Sequence, residues 1–321
     1  MTVRDWRDVR ADALLDLYSR EQQHWLSVLD WDAATTWHTI EQARTTWGLP
    51  GLVVEDDAGR ISGWTFYLPQ DGAFEVGGIT ADTPAATQAL VDALEEAARA
   101  ANVRRLSLFV CDRAPGLAGI LAAHGFDVQP YLYLRRALDA ADAAHAADAG
   151  SAGERGWVAD DLAAAAALLQ ASYGNAGVHF APDNQPDEWL RYAQGLTEQA
   201  ACGVLMPEAT RVRDAEGELA GLVVTTRIAG QTAHIAQVAV APGQRRRGMA
   251  AALVAGACAR AAGAGCRAIT LLVAAGNTPA LGLYRGLGFG ERTAFVAARR
   301  VYQPRRLTSV ALASGGATTL R

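Results

Sequence analysis

The segment from Ala233 to Ala250 constrains the fold of this chain more than any other, because it joins a strand to a helix through a basic loop. It reads AHIAQVAVAPGQRRRGMA: an apolar stretch runs into Pro242, and three arginines precede Gly248. A helix that begins at Met249 leaves backbone N–H groups unpaired in its first turn, and such groups bind phosphate. Gly248 has no side chain to block a phosphate, and the arginines add positive charge. The segment predicts a strand, a phosphate-binding loop and a helix, in that order.

Nucleotide triphosphatases are a class of enzyme that this loop excludes. Gly243 and Gly248 have the glycine spacing of a Walker A loop. The next two residues are Met and Ala, however, where such an enzyme needs Lys and Ser or Thr. All 29 basic residues of the chain are arginines. A basic surface turn remains the alternative that the loop alone does not exclude.

A second segment, Leu271–Phe289, argues against a plain surface turn. It reads LLVAAGNTPALGLYRGLGF, which predicts a strand, a loop containing Asn277 and a short helix carrying Tyr284. The spacing Asn277-x-x-Ala-x-x-Leu-Tyr-x-x-x-Gly-Phe is similar to a hallmark of the GNAT superfamily of acetyltransferases. The arginine loop, Arg245-x-x-Gly-x-Ala, resembles the R/Q-x-x-G-x-G/A loop of that superfamily. The two segments also occur in the order and at the distance found there.

The resemblance implies a fold and an activity. We expect an α/β (α+β) fold of two tandem GNAT-like domains, each a mixed, mostly antiparallel sheet with helices on both faces. The implied reaction moves the acetyl group of acetyl-CoA, as co-substrate and without a metal, to a primary amine. The implied mechanism is direct attack in a ternary complex.

The two halves of the chain repeat one order of elements: helices, a hairpin, then strand, helix, strand, helix and strand. This repetition predicts duplication of one fold, with a degenerate GNAT-like domain at 1–137 and a catalytic domain at 157–302. Residues 138–156 are small, charged and glycine-rich without an apolar face, which predicts a linker. Residues 303–321 are predicted to be a flexible tail.

The resemblance also assigns cofactor contacts. Pantetheine would lie between the strands that end at Val240 and Val273, with the Val238 N–H on the thioester oxygen and Asn277 on the pantetheine arm. The pyrophosphate would lie on the basic loop. The predicted cofactor-binding residues are Val238, Ala239, Val240, Arg245, Arg246, Arg247, Gly248, Met249, Ala250 and Asn277.

Two side chains are predicted to be catalytic. Tyr284 matches a tyrosine that protonates the departing thiolate in many members of the superfamily, and a phenol near sulfur is a suitable donor. His234 is the predicted base, with a pKa near neutral. On a strand with period-2 alternation, His234, Ala236, Val238 and Val240 share a face, and Val238 is where the thioester is expected. A packing tyrosine and a paired strand-end histidine are the structural alternatives.

The acceptor is expected to be a small-molecule amine, held by aromatic and acidic side chains around the first two helices of the second half. The predicted contacts are Tyr173, His179, Trp189 and Glu208. An ordinary surface loop and amphipathic helix remain the alternative for this segment.

The first half lacks the chemical features of the second. Its loop, Ile79–Ala86, has neither arginine nor glycine and carries Asp82, which repels phosphate. Counted back from Gly-Phe, the positions of Tyr284 and Asn277 hold Leu121 and Ala114. We therefore expect one cofactor per chain and a structural role for the first half.

Composition limits the partners. The net charge of −5 argues against nucleic acid, and no apolar run is long enough for a membrane span. Four cysteines without metal-ligand spacing, and no visible signal peptide, predict free thiols in the cytoplasm. We also expect a monomer or homodimer.

Three alternatives to a small-molecule acetyltransferase stay open. One is a protein or peptide N-acetyltransferase. Another is a mycothiol-synthase-like enzyme, which is also a tandem GNAT protein but keeps a recognisable loop in its first half. The third is a non-catalytic acyl-CoA sensor, against which His234 and Tyr284 argue.

Overall fold

The structure, a computed structural model, describes residues 1–144, 153–174, 181, 184–198 and 202–303. Within these residues the helices are α1 Ala11–His24, α2 Ala34–Thr46, α3 Pro84–Ala100, α4 Leu117–Ala123, α5 Ala140–Ala144, α6 Leu162–Tyr173, α7 Pro186–Thr197, α8 Met249–Gly263 and α9 Thr278–Gly286. The strands are β1 Thr2–Asp5, β2 Gly51–Glu55, β3 Ile61–Gln70, β4 Ala73–Ala81, β5 Arg105–Cys111, β6 Asp127–Ala137, β7 Glu154–Gly156, β8 Val204–Leu205, β9 Arg211–Ala215, β10 Glu218–Ala229, β11 Thr232–Val240, β12 Ala268–Ala274 and β13 Gly290–Val301.

The two halves share one sheet because they exchange their last strands. The strand order is β1-β2-β3-β4-β5-β13-β6-β12-β11-β10-β9-β7, and β8 pairs with β10. The last strand of the chain, β13, pairs with β5 of the first half, while β6 pairs with β12 of the second half. At the centre, β6 and β13 pair with each other in antiparallel orientation. The last strand of each half therefore completes the sheet of the other.

The repeated pattern predicted from the sequence is present in the sheet. In the first half β3 pairs antiparallel with β4 and β4 pairs parallel with β5; β10, β11 and β12 repeat this arrangement. Both copies also contain a β-bulge at the matching position, Gly77 in β4 and Ala236 in β11, where the pairing register slips by one residue. The mixed, mostly antiparallel sheet confirms the predicted fold class.

Helices cover both faces of the sheet, as predicted. In the second half, Val223, Ile235 and Leu271 pack under α8 and α9. On the opposite face, Leu222 and Val224 pack under α6 and α7. Each fully buried aliphatic side chain in such a layer contributes about 1.5–3 kcal/mol relative to an exposed one. Two apolar layers therefore hold the sheet between the helix pairs.

The segment predicted to be a linker is partly ordered by ion pairs. Within 138–156, α5 and β7 are regular elements, and β7 pairs with β9. Glu154 is a buried carboxylate 3.2 Å from Arg211 and 2.9 Å from Arg260. A charged, glycine-rich sequence predicts a linker, because Arg211 and Arg260, the partners of Glu154, lie far from it in sequence. Residues 145–152, and 304–321 of the predicted tail, lie outside the described residues.

Neither a membrane-spanning helix nor a metal-binding cluster occurs among the described residues. No helix in the described ranges is both long and apolar enough to cross a bilayer. Across the same residues, no group of three His, Cys, Asp or Glu side chains is arranged to hold a metal ion. The four cysteines are free thiols.

Cutting the chain within residues 145–152 tests the strand exchange. Fragments 1–148 and 149–321 should each aggregate or remain unfolded alone, because β5 and β12 would lose the strand beside them and present open edges. Produced together, they should form a folded one-to-one complex by size-exclusion chromatography and circular dichroism. A folded, monomeric 149–321 fragment would show that β6 is dispensable to the second half.

Candidate active site

β11 and β12 separate toward their C-terminal ends, which leaves a gap between them. Their parallel pairing ends at Ile235 opposite Leu271, although the strands continue to Val240 and Ala274. Backbone groups beyond that point have no partner strand across the gap, so they are able to bind an extended, amide-containing ligand. The gap lies where the resemblance predicts pantetheine.

The bulge at Ala236 changes which side chains share a face, and it corrects a prediction. Before the bulge, Ile235 packs toward α8; after it, Val238 and Val240 pack toward α8 as well. Ala236 and Ala239 face α6 and α7. The expectation that His234 shares a face with Val238 is therefore wrong, because the extra residue shifts the alternation by one.

His234 lies inside the sheet on the α6–α7 side, with 4% of its surface exposed. Its Nδ1 is 2.8 Å from the hydroxyl of Thr270, and its ring stacks on Tyr133 of β6 at 6.1 Å between centroids. The Thr270 hydroxyl donates to the carbonyl of Ala233. Burial lowers the pKa of His234 to about 4. The near-neutral pKa expected from the sequence is wrong, because the ring is removed from water without a carboxylate hydrogen bond to hold its proton.

The basic loop has the backbone expected of an anion site. Gly248 precedes α8 with a φ of 78°, and a β-carbon built there would meet nothing within 4 Å. No side chain of the described residues caps this helix, so its first N–H groups are available to a ligand. Ala250 is small, while Met249 is buried against Gly221. Met249 therefore anchors the helix and offers only its backbone.

The three arginines of the loop make different contacts. Arg245 donates to the carbonyl oxygens of Ser172 and Val240, so it braces the loop against α6. Arg247 donates to Gln244 at 3.1 Å. Arg246 is exposed and has a φ of 62°. The sequence predicts phosphate contact for all three arginines, but in the structure the Arg245 side chain donates hydrogen bonds to backbone carbonyl oxygens instead.

Asn277 and Tyr284 lie on the other side of the gap. Asn277 is exposed and caps α9, since its side-chain oxygen accepts from the N–H of Ala280 at 3.2 Å. Tyr284 is 8% exposed and its ring meets Phe289 edge-on at 5.9 Å. Burial raises the pKa of Tyr284 to about 12. The phenol therefore stays protonated throughout the neutral range.

A polar cluster that sequence analysis missed lies beside the bulge. The side-chain oxygen of Gln237 accepts from the Tyr173 hydroxyl at 2.6 Å and from the Val238 N–H at 2.9 Å. The Gln237 side-chain nitrogen donates to the Tyr192 hydroxyl at 2.9 Å. Tyr131 of β6 lies close enough to influence the pKa of both Tyr173 and Tyr192. The sequence does contain a signal for this cluster, because Gln237 is the single polar residue between His234 and Pro242.

The predicted acceptor residues do not form one surface. Tyr173 lies in the cluster just described. Trp189 is fully buried and donates to Asn184 at 2.8 Å, so it is a core residue rather than a ligand contact. Glu208 is exposed and close to Cys266, which precedes β12, at the end of the strand remote from the gap. His179 lies outside the described residues.

The matching gap of the first half is closed. A backbone bridge joins Thr80 to Arg113, past the point where β4 and β5 part. Arg113 forms an ion pair with Glu21 of α1 at 3.1 Å. Thr83 caps α3 through the N–H of Ala86. In the first half, some of the backbone N–H groups that would bind phosphate in an open loop are therefore already hydrogen-bonded within the chain.

Comparison with known proteins agrees with this geometry. Residues 166–289 match the Acetyltransferase (GNAT) family model. Within the second half, residues 166–289 therefore correspond to a GNAT domain. No curated protein matches the sequence of the chain.

Solved GNAT structures share the fold of most of the chain. A GCN5-related N-acetyltransferase from Sphaerobacter thermophilus superposes with a TM-score of 0.64 at 17% identity, covering 94% of this chain and 96% of that one. A tandem GNAT protein from the clavulanic acid biosynthesis pathway gives 0.52 at 19% identity, covering 80% and 83%. A glucosamine N-acetyltransferase region of a fungal GH3 beta-N-acetylglucosaminidase gives 0.56 at 15% identity, covering 93% and 38%. At these identities the likeness establishes the fold.

Gly248→Asp tests the GNAT anion loop. A carboxylate before α8 should repel pyrophosphate and abolish the rise in melting temperature that acetyl-CoA produces, a gain worth about 2.7 kcal/mol at a hundredfold excess over Kd. The control is Gly265→Asp, since Gly265 also has positive φ and open space but lies just beyond the C-terminal end of α8, opposite the end that Gly248 precedes. Both variants should lose similar stability without ligand. Equal ligand-induced rises in both variants would contradict the loop assignment.

His234 should make the GNAT domain acid-sensitive. Unfolded histidine has a pKa near 6.5, so between pH 6.5 and about 4 the unfolded state binds a proton that the folded state excludes. Stability is therefore full above pH 6.5 and falls on acidification, by about 2 kcal/mol at pH 5. In urea titrations at pH 5, 6 and 7, His234→Gln should flatten this dependence. The exposed control His38→Gln should keep the wild-type dependence, and identical curves for all three proteins would contradict a buried neutral His234.

Proposed function

We propose that this protein is an N-acetyltransferase that moves the acetyl group of acetyl-CoA to a primary amine of a small molecule. The observation that carries the proposal is the gap between β11 and β12 beyond Ile235, which ends at the uncapped start of α8. An anion site and an unpaired strand edge lie next to each other there. Pantetheine and pyrophosphate require that combination of backbone donors and acceptors.

Binding would use backbone more than side chains. The pyrophosphate would accept from the N–H groups at Gly248, Met249 and Ala250, with Arg246 and Arg247 adding charge. The pantetheine amides would pair with β11 at Val238 and Val240. The contact predicted for Ala239 is wrong, because its N–H points toward β10 rather than into the gap. Asn277 keeps its side-chain nitrogen available while its oxygen caps α9.

The proposed chemistry is a direct transfer. The amine nitrogen bonds to the thioester carbonyl carbon, and the carbonyl electron pair moves onto oxygen, which accepts from the Val238 N–H. When the carbonyl re-forms, the carbon–sulfur bond breaks and the thiolate takes a proton from Tyr284. The products are an N-acetyl amine and CoA. The proton that the base takes from nitrogen is released and replaces the one that Tyr284 gave to sulfur, so the protons balance and both side chains are regenerated.

His234 remains the proposed base, with a modified role. A pKa near 4 makes the imidazole neutral at working pH but a weak acceptor for an ammonium proton. The buried aromatic surroundings also disfavour the charged form of the amine, so the acceptor is expected to react as a free amine. His234 would take the proton after nitrogen has bonded to carbon, when that proton is more acidic.

Aromatic side chains around Gln237 support a small acceptor. Tyrosines from both halves lie around its side chain, Tyr173 and Tyr192 from the helices and Tyr131 from β6. Aromatic surroundings of this kind suit a small amine better than a folded protein surface. The first half would then serve as scaffold and as one wall of the acceptor pocket.

A CoA-release assay with a panel of amines, amino sugars, peptides and antibiotics tests the proposal. Acetyl-CoA consumption that depends on a small amine would support it. Turnover with peptides alone would favour a protein N-acetyltransferase, and turnover with a cysteinyl amino sugar would favour a mycothiol-synthase-like enzyme. Binding without CoA release from any compound would identify an acyl-CoA sensor.

Tyr284→Phe should lower kcat by roughly 10²–10⁴-fold, because general-acid catalysis is typically worth that factor. The KM for acetyl-CoA should change little, since the phenol contributes after binding. Because the pKa of Tyr284 is about 12, the wild-type rate should show no basic limb from this residue below about pH 11. The control Tyr67→Phe removes a hydroxyl from the first half and should retain activity. Wild-type kcat in Tyr284→Phe would remove this tyrosine from the mechanism.

A further inference from the structure

Two hydrogen-bond donors converge on one carbonyl oxygen at the edge of the gap. The Val238 N–H and the Tyr173 O–H lie 2.9 and 2.6 Å from the side-chain oxygen of Gln237. A backbone N–H only donates, so the amide atom facing it is the oxygen rather than the nitrogen. The Val238 distance falls within the range of about 2.7–3.1 Å at which donors hold a developing oxyanion, and the Tyr173 distance is slightly shorter.

The Val238 donor points into the gap. The Ala241 N–H bonds to Ala220 of β10, so N–H groups of odd-numbered residues in this part of the chain point toward β10. Val238 has the opposite parity, and its N–H therefore points to the side where β12 has parted. A polar ligand in the gap reaches this donor only if the Gln237 oxygen leaves it.

The Tyr173 donor is held in place by packing. Its ring stacks on Trp189 at 5.7 Å and 22°, and Trp189 is itself fixed by its hydrogen bond to Asn184. Burial, with the neighbouring Tyr284 and Tyr131, raises the pKa of Tyr173, so its hydroxyl keeps its proton. A rigid, protonated donor needs little reorganisation when charge develops beside it.

The geometry points to a two-donor oxyanion site, the Val238 N–H and the Tyr173 hydroxyl, whose place is taken by the Gln237 amide oxygen until the thioester oxygen of acetyl-CoA displaces it. This inference rests on the proposed acetyl transfer and reassigns Tyr173 from acceptor binding to catalysis. Gln237 is a positioning residue that keeps both donors satisfied in the empty site. Its side-chain nitrogen already bonds to Tyr192, which offers the displaced amide an anchor.

The site favours the transition state over the bound substrate. When nitrogen bonds to the carbonyl carbon, the oxygen gains negative charge, and both donors bond more strongly to it than to the neutral thioester. When the carbonyl re-forms and the carbon–sulfur bond breaks, the charge passes to sulfur. The stronger bonds therefore exist only while the tetrahedral intermediate does.

Infrared spectroscopy of full-length protein with carbonyl-¹³C acetyl-CoA reads the site directly. The thioester carbonyl stretch should move to lower frequency on binding to wild type. Tyr173→Phe should reverse part of that shift and slow CoA release by roughly 10²–10³-fold, as loss of one oxyanion donor does. The control, Tyr67→Phe, removes a tyrosine hydroxyl on β3 of the first half, and should keep both the shift and the rate.

Calorimetry with acetyl-CoA and with CoA tests the role of Gln237, because only acetyl-CoA carries the carbonyl. Gln237→Ala should raise the preference for acetyl-CoA over CoA, since nothing then competes for the two donors. Gln237→Glu should lower it, since a carboxylate accepts more strongly than an amide. A purely structural role would change both affinities alike.

Three outcomes would overturn the inference. The first is a carbonyl stretch that does not move on binding, and the second is the same shift in Tyr173→Phe as in wild type. The third is an unchanged acetyl-CoA to CoA preference in both Gln237 variants. Failure of wild type to bind acetyl-CoA at all is a separate result, which would overturn the proposed function and this site with it.

Discussion

Antiparallel pairing of β6 with β13 at the centre of the sheet is the constraint on which the rest of the molecule depends. These strands come from different halves, and each continues the sheet of the half to which it does not belong in sequence. Removing either strand would leave an unpaired edge and strip apolar residues from the layers on both faces. The two halves therefore share their stability, and the GNAT domain of the second half is complete only with β6 beside β12.

This exchange also explains how a half without its own chemistry takes part in the site. Tyr131 and Tyr133 of β6 lie beside residues of the second half, where Tyr131 is near Tyr173 and Tyr133 stacks on His234. The first half closes its own gap with the Thr80–Arg113 bridge and the Glu21 ion pair. One copy of the duplicated fold thus keeps an opening, and the other supplies part of its wall.

The bulge at Ala236 sets the chemistry of the opening. One extra residue lets β11 part from β12 and places His234 and Gln237 on the same face, with Val238 directed to the other. The matching bulge at Gly77 belongs to the closed copy, so a bulge alone does not make a site. An open gap, an uncapped helix start and polar side chains on one face occur together only in the second half of the described chain.

The sequence by itself determined the local elements and the anion loop. Alternating apolar residues predict a strand at 233–240, observed as Thr232–Val240, and Gly248 predicts the start of α8, because both signals depend on neighbours in the chain. For the first half the repeated order of elements predicts helices before the hairpin but gives no bounds for α1 and α2. Leu14, Leu17 and Tyr18 of α1 do recur at helical spacing, whereas α2 is polar and only weakly amphipathic. Tertiary structure alone decided the strand exchange, the burial that lowers the pKa of His234, and the Tyr173–Gln237 contact. Each depends on hydrogen bonds and packing between residues far apart in sequence. A one-residue bulge also moves the side chains that follow it to the opposite face of the sheet, and no local sequence pattern predicts it.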